Sequence, residues 1–219
     1  IVCDYSKDFL RLPQEVIYTV LKNHQKCFAV EGKPNFVGIC NGKNRNFELV
    51  KEGYEKVAVA RLNDAVFFYD KDLKFPLKNK TEDLKNLVYQ DGLGSMYEKL
   101  DRIKKIARKI KFNNEIERVI DLCKNDLLTD MVYEFPELQG VMGKIYAEKT
   151  GDQDIAEAVY EHYLPKFVGD DLPKTMEGAV VSIADKIDNI NSAFILGKKP
   201  TGSKDPFGIR RQVYGIFNI

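Results

Sequence analysis

Apolar residues recur at three- and four-residue steps through Met176, Ala179, Val180, Ile183, Ala184, Ile187, Ile190 and Phe194, which predicts a buried helix over 175–194. Two carboxylates, Asp185 and Asp188, fall in its second half. Asp185 lies on or beside the apolar stripe, where an ionised carboxylate has to find a cation, a metal or hydrogen-bond donors. An ion pair with Lys or Arg and a metal ligand are the two readings of it.

Earlier in the chain the pattern is mixed. Leu12-Pro13-Gln14-Glu15-Val16 puts Pro at a helix start and Glu in the first turn, predicting a helix to about Lys22. Residues 25–31 and 36–40 are short β-prone runs separated by Gly32-Lys33-Pro34-Asn35, a hairpin pattern, and Asn41-Gly42-Lys43-Asn44 breaks the second strand. Val57, Ala58, Ala60 and Leu62 predict a helix over 52–63, and Val66-Phe67-Phe68-Tyr69 predicts a strand.

Beyond Gly92 and Gly94 everything reads helical. Ser95-Met96-Tyr97-Glu98 is a capping box, followed by the stripe Tyr97, Leu100, Ile103, Ile106, Ala107 and Ile110. The other side of that helix carries Lys99, Arg102, Lys104, Lys105, Arg108, Lys109 and Lys111 against Asp101 alone, either a solvated face or a track for an RNA backbone. Further helices are expected over 114–128, 137–149 and 152–163, and Arg210-Arg211 sits in one that follows a Pro- and Gly-rich loop. The fold class is therefore α+β: a small mixed α/β N-terminal domain at 1–76, then an all-α bundle at 77–219 ending in a basic loop and the start of a further helix.

Composition narrows the partners. Hydrophobic content of 44% and charged content of 31% suit a globular protein, and no apolar run approaches the roughly 20 residues a membrane span needs, so a cytoplasmic protein without a membrane partner is expected. Net charge of +1 excludes a wholesale polybasic chain while leaving room for a local basic face. Cys3, Cys27, Cys40 and Cys123 form no C-x-x-C pair and read as reduced thiols. The start on Ile1 and the unfinished apolar pattern at 213–219 suggest a section of a longer protein.

Gly202-Ser203-Lys204 lacks the upstream glycine and strand of a P-loop, and His24 and His162 have no nucleophile context. Both histidines are expected to serve packing or capping. What remains is the bundle with Asp126, His162 and Asp185. Ala184-Asp185-Lys186-Ile187-Asp188 resembles the last metal-binding helix of HD domains, helical bundles that hold divalent metals for phosphohydrolysis. On that comparison Arg102-Ile103 and Ala107 match the first HD helix and Cys123-Lys124-Asn125-Asp126-Leu127 the segment bearing the His-Asp doublet. Lys99 stands where the first His belongs and Asn125 where the doublet's His belongs, so the vestigial positions are Lys99, Asn125, Asp126 and Asp185. A lysine ammonium cannot ligate a cation and can pair with the carboxylates that would have held one. The expectation is a metal-free site in which Lys99 or Lys124 neutralises Asp126 and Asp185.

A second resemblance covers nearly the whole chain. Leu12-Pro13-Gln14-Glu15-Val16-Ile17 and His24-Gln25-Lys26-Cys27-Phe28, Ala60-Arg61-Leu62-Asn63-Asp64-Ala65-Val66-Phe67-Phe68, Asp126-Leu127-Leu128-Thr129-Asp130-Met131-Val132-Tyr133-Glu134-Phe135, Glu137-Leu138-Gln139-Gly140-Val141-Met142-Gly143 and the run from Pro200-Thr201-Gly202 to Gly208-Ile209-Arg210-Arg211 are similar to segments of the β subunit of bacterial heterotetrameric glycyl-tRNA synthetase. The resemblance implies an α2β2 ligase in which the α subunit, using ATP and Mg, joins glycine to tRNA(Gly) while the β subunit grips the tRNA. It implies no catalytic residue and no cofactor in this section, whose bundle would be a degenerate HD-like domain. Candidate tRNA contacts are Arg102, Lys105 and Lys109 on one helix and Lys204, Arg210 and Arg211 near the final loop, the latter three serving equally as an ion-pair cluster. The alternative is an HD-type metal-dependent phosphohydrolase using Asp126 and Asp185.

Overall fold

The computed structural model describes residues 1–41, 46–202 and 204–219. The expected break at Asn41-Gly42-Lys43-Asn44 lies largely outside them, as do Ser203 and the side chain of His24. The chain forms two compact units, Ile1–Lys74 with Thr129–Gln139, and Phe75–Leu128 with Gly140–Ile219. The fold is α+β, with strands in the first unit and an all-α second unit.

In the first unit β1 (Val2–Asp4), β2 (Phe28–Ala29) and β3 (Asn35–Val37) make an antiparallel sheet in the order β1-β3-β2. The hairpin of the sequence pattern is β2–β3, and β1, too short to show a period, adds the third strand. Alternation fixes its register: Cys3 and Phe36 pair on the buried side, while Val2 and Phe28 flank Val37 on the exposed one. Helix α1 (Gln14–Thr19) continues through a π-helical turn, Val20–His24, and α2 (Phe47–Asp72) packs against β1.

Helix α2 overturns the strand predicted at Val66-Phe67-Phe68-Tyr69. Its buried residues Ala58, Leu62, Ala65, Tyr69 and Asp72 hold one helical stripe through that run, and Phe67, at 63% exposure, projects from it. Local β-propensity yields to the packing of that stripe. The short helix at Asp130–Glu134 is a further departure from the sequence pattern, because five residues are too few to display a period.

In the second unit α3 (Met96–Ile110) starts in the expected capping box, Ser95 Oγ accepting from the Glu98 amide and Glu98 Oε2 from the Ser95 amide at 2.7 Å. Helix α4 (Asn114–Leu122) stops six residues before its predicted end and gives way to a 3-10 turn, Asn125–Leu128. The excursion into the first unit carries α5 (Asp130–Glu134) and the turn Pro136–Leu138. Helix α6 (Val141–Lys149) begins only after Gly140, four residues later than expected, because Gly140 has φ of 83° and stops any helix from the proline side. Helices α7 (Gln153–Glu161), α8 (Met176–Ile195) and α9 (Ile209–Asn218) complete the bundle, and α3, α4, α7 and α9 all pack on α8.

The start of α5 is satisfied by side chains from two directions. Thr129 Oγ1 accepts from the Val132 amide, and buried Asp72 accepts from the amides of Asp130 and Met131 at 3.0 Å each. Asp72→Ala strands those amides and is expected to destabilise the first unit by about 1–3 kcal/mol in chemical denaturation, with Asp72→Asn losing less.

Candidate functional site

Helix α8 is buried on its polar side as well as its apolar one. Ser182, Asp185, Lys186, Asp188 and Ser192 are all buried, while Met176 and Phe194, the ends of the predicted stripe, are about half exposed. A polar face this deep demands partners, and α3 and the turn after α4 supply them.

Five charged groups alternate in sign along a single chain of contacts. Lys124 Nζ lies 3.0 Å from Asp185 Oδ2, and Lys99 Nζ lies 2.8 Å from Asp185 Oδ1 and 2.9 Å from Asp188 Oδ2. Arg102 closes the row, its Nε 2.7 Å from Asp188 Oδ1. At one end Lys124 Nζ meets His162 Nε2 at 2.9 Å and lies 4.0 Å from the centre of the Tyr163 ring. At the other, Arg102 Nη1 donates to the Leu93 carbonyl at 3.1 Å. Asn189 Oδ1 accepts from Lys99 Nζ at 2.6 Å and from the Tyr89 hydroxyl at 3.1 Å.

This arrangement governs protonation. Burial works to raise the Asp185 carboxyl, but Lys124 and Lys99 hold it well below the usual carboxylate range. Burial likewise works against the Lys99 ammonium, and Asp185 and Asp188 outweigh it, keeping the group charged. His162 is driven far below its ordinary value by burial and by the Lys124 charge. Its neutral ring donates Nδ1–H to the Val159 carbonyl at 2.5 Å, which leaves Nε2 to accept from Lys124. Lys186 donates to the Leu164 carbonyl and Ser182 Oγ at 2.7 and 2.6 Å, and burial lowers it to about 8.

Asp126 serves a different purpose. It accepts from the amide of Gly140 at 2.6 Å and from the amides of Gly143 and Leu127, so it caps the N-terminus of α6. A Cβ on Gly143 would come within 3.3 Å of Asp126 Oδ2, and one on Gly140 within 2.5 Å of the Tyr163 ring, so Gly143 makes room for the cap and Gly140 for that ring. Burial pushes the Asp126 carboxyl up to about 6 against the pull of those amides and of Lys124. Asn125 turns away from the charge chain, its Nδ2 donating to the Leu77 carbonyl and Thr81 Oγ1 at 2.8 Å each.

Of the vestigial HD positions, then, Lys99 and Asp185 meet, while Asp126 and Asn125 brace neighbouring backbone. Lys124, the residue before the doublet position, is the one that faces Asp185. A divalent cation does not fit this donor set, since each oxygen of Asp185 already faces an ammonium. Among the described residues no group of three or more His, Cys, Asp and Glu side chains converges as metal ligands.

The candidate RNA contacts also separate. Lys99 and Arg102, three residues apart, both turn toward α8, correcting the expectation that they share the outward basic face. Lys104 pairs with Asp121 at 2.7 Å. Lys105, Arg108, Lys109 and Lys111 are exposed and, among the described residues, form no ion pair. Lys204, Arg210 and Arg211 are exposed; Arg210 donates to the carbonyls of Thr201 and Gly202 at 2.5 and 3.4 Å, clamping the loop before α9. Asp205 receives the amides of Ile209 and Arg210 and caps that helix.

A family model described as the glycyl-tRNA synthetase beta subunit matches residues 1–219. Among curated relatives, a protein of Desulforamulus reducens named glycine–tRNA ligase beta subunit is 46% identical over 98% of this chain and 33% of its own length. Proteins of the same name from Clostridioides difficile and Bacillus subtilis are 46% and 43% identical, over 99% and 98% of this chain and 33% and 34% of theirs. The chain thus spans about a third of the length of the curated relatives it matches.

Two measurements check the charge chain. Lys99→Met leaves Asp188 and Asp185 short of a buried partner and is expected to cost about 3–5 kcal/mol, much of it recovered by adding Asp185→Asn. Below pH about 6.5 the unfolded chain protonates His162 and the folded one does not, so unfolding free energy contributed by this residue falls on acidification. Asp126 acts oppositely between pH 6 and 3.8, where the folded chain takes up the proton first. His162→Gln is therefore expected to flatten, and Asp126→Asn to steepen, the loss of stability between pH 6.5 and 4, read by urea denaturation at each pH.

Proposed function

The chain belongs to the glycyl-tRNA synthetase beta subunit family, and from that premise we propose that it is a tRNA-gripping section of a non-catalytic β subunit. On this reading a separate α subunit carries ATP, Mg and the chemistry of attaching glycine to tRNA(Gly), the two assemble as α2β2, and the enzyme works in the cytoplasm. The bundle of the second unit is a rigid support, its former ligand positions converted to ion pairs and helix caps. The observation that carries the reading is the division of the α3 cations. Lys99 and Arg102 are consumed in holding the bundle together, whereas Lys105, Arg108, Lys109 and Lys111 face solvent along one edge without acidic partners among the described residues. Such a ridge follows a phosphate backbone by counterion release and reads no sequence. The donor set around Asp185 gives the phosphohydrolase alternative no support.

Lys105→Glu with Lys109→Glu in the complete α/β enzyme is the test. Affinity for tRNA(Gly) is expected to fall, and the slope of log affinity against log salt to shrink by about 1.5–2 for two lost phosphate contacts. Melting temperature should stay as in the parent enzyme. An unchanged affinity and slope would make the ridge a solvated face.

A further inference from the structure

Beside the exposed ridge, α3 and the second half of α8 enclose a cleft of about 270 Å³ whose surface is largely apolar. Leu93, Ile106 and Ile195 supply the apolar surface, with Ile195 72% exposed. Arg102, Lys105, Asn191, Ser192 and Asp188, the last paired with Arg102, border it. The volume falls just under the roughly 300–1,000 Å³ of sites for drug-sized ligands, which suits one planar ring system.

Arg102 reaches this cleft with its edges committed. Nε and Nη2 point to Asp188 at 2.7 and 3.4 Å and Nη1 to the Leu93 carbonyl at 3.1 Å. A guanidinium fixed by its edges, with the centre of the Tyr89 ring 5.5 Å from its Cζ, keeps its other face as the plane on which an unstacked RNA base would lie, as bases do on aromatic rings. The buried charge chain therefore ends in a pre-oriented stacking surface. Lys105 stands at the rim one turn from Lys109, without an ion pair among the described residues, and the amide of exposed Asn191 carries both a donor and an acceptor for a base edge.

We propose that this cleft is a nucleobase pocket: an unpaired RNA base enters between α3 and α8, stacks on Arg102 against Ile106 and Ile195, and meets Asn191 at its edge, while Lys105 holds the adjoining phosphate. The proposal rests on the tRNA-gripping reading and adds to it a site that takes a single unstacked nucleotide. Charge complementarity selects the occupant. The cations on the outward edge of α3 continue from the rim along the helix, as a polyanion attached to the base requires, and the apolar interior matches the base itself.

The test uses the complete α/β enzyme and a tRNA(Gly) transcript. Ile195→Asn and Asn191→Ala change exposed side chains without altering charge, so the bundle should keep its melting temperature. Each is expected to weaken tRNA affinity, about tenfold for Ile195→Asn as for the loss of one stacked base, with the salt slope unchanged. Lys105→Glu lowers affinity and slope together. If Lys105→Glu has that effect while both neutral variants bind as the parent does, the cleft proposal is overturned and the tRNA-gripping reading stands. If none of the three changes affinity or slope, both fail. If the neutral variants weaken association of the subunits in sedimentation but not the affinity of the assembled enzyme for tRNA, the cleft takes a protein segment, and the nucleobase assignment is likewise overturned.

Discussion

The second unit depends on a row of charges that cannot be separated without exposing one of them. Asp185 and Asp188 sit on the central helix, one turn apart, and each is shared between two cations drawn from other segments. Neither carboxylate is tolerable alone at its depth, and neither is Lys99. The geometry is thus over-determined. Helix α3, helix α8 and the turn after α4 must meet in one register for every member to be satisfied, which an apolar seam would enforce less strictly. In such networks desolvation offsets much of the Coulombic gain, and what they add is constraint on arrangement.

The same constraint explains which features were legible in the sequence. A carboxylate beside an apolar stripe has to be answered, and the HD-domain resemblance pointed to Lys99 and Lys124, which answer Asp185 but do not pair with Asp126. That Arg102 turns inward was also readable in principle, since it stands three residues after Lys99 on the same face. Asp126 was not. Its partners are backbone amides at Gly140 and Gly143, and no side-chain pattern marks an amide as a partner. Asn189 and Tyr89 left no signal either, because their contacts join residues far apart in the chain.

At the level of elements, the long helices declared themselves and the exceptions have separate causes. Val66 to Tyr69 reads as a strand only when its neighbours are ignored; Leu62, Ala65 and Asp72 extend the helical stripe on both sides of it. The faces of α8 were harder. Its apolar period was real, yet the helix is surrounded, and a surrounded helix has no single inward side for periodicity to report. One excursion leaves no such mark: Thr129–Gln139 join Ile1–Lys74 in the first unit.

That excursion sets an order of events during synthesis. Helix α5 packs on α2 and the Pro136–Leu138 turn on α1, and Asp72 finds its amide donors at Asp130 and Met131. None of these residues has left the ribosome when the strands and α2 emerge. The whole of Phe75–Leu128, with α3 and α4, is translated first. A truncated product ending at Lys74 would therefore lack the Asp130 and Met131 amides that Asp72 accepts from, and the N-terminal unit reaches its finished form only once much of the helical unit has been made.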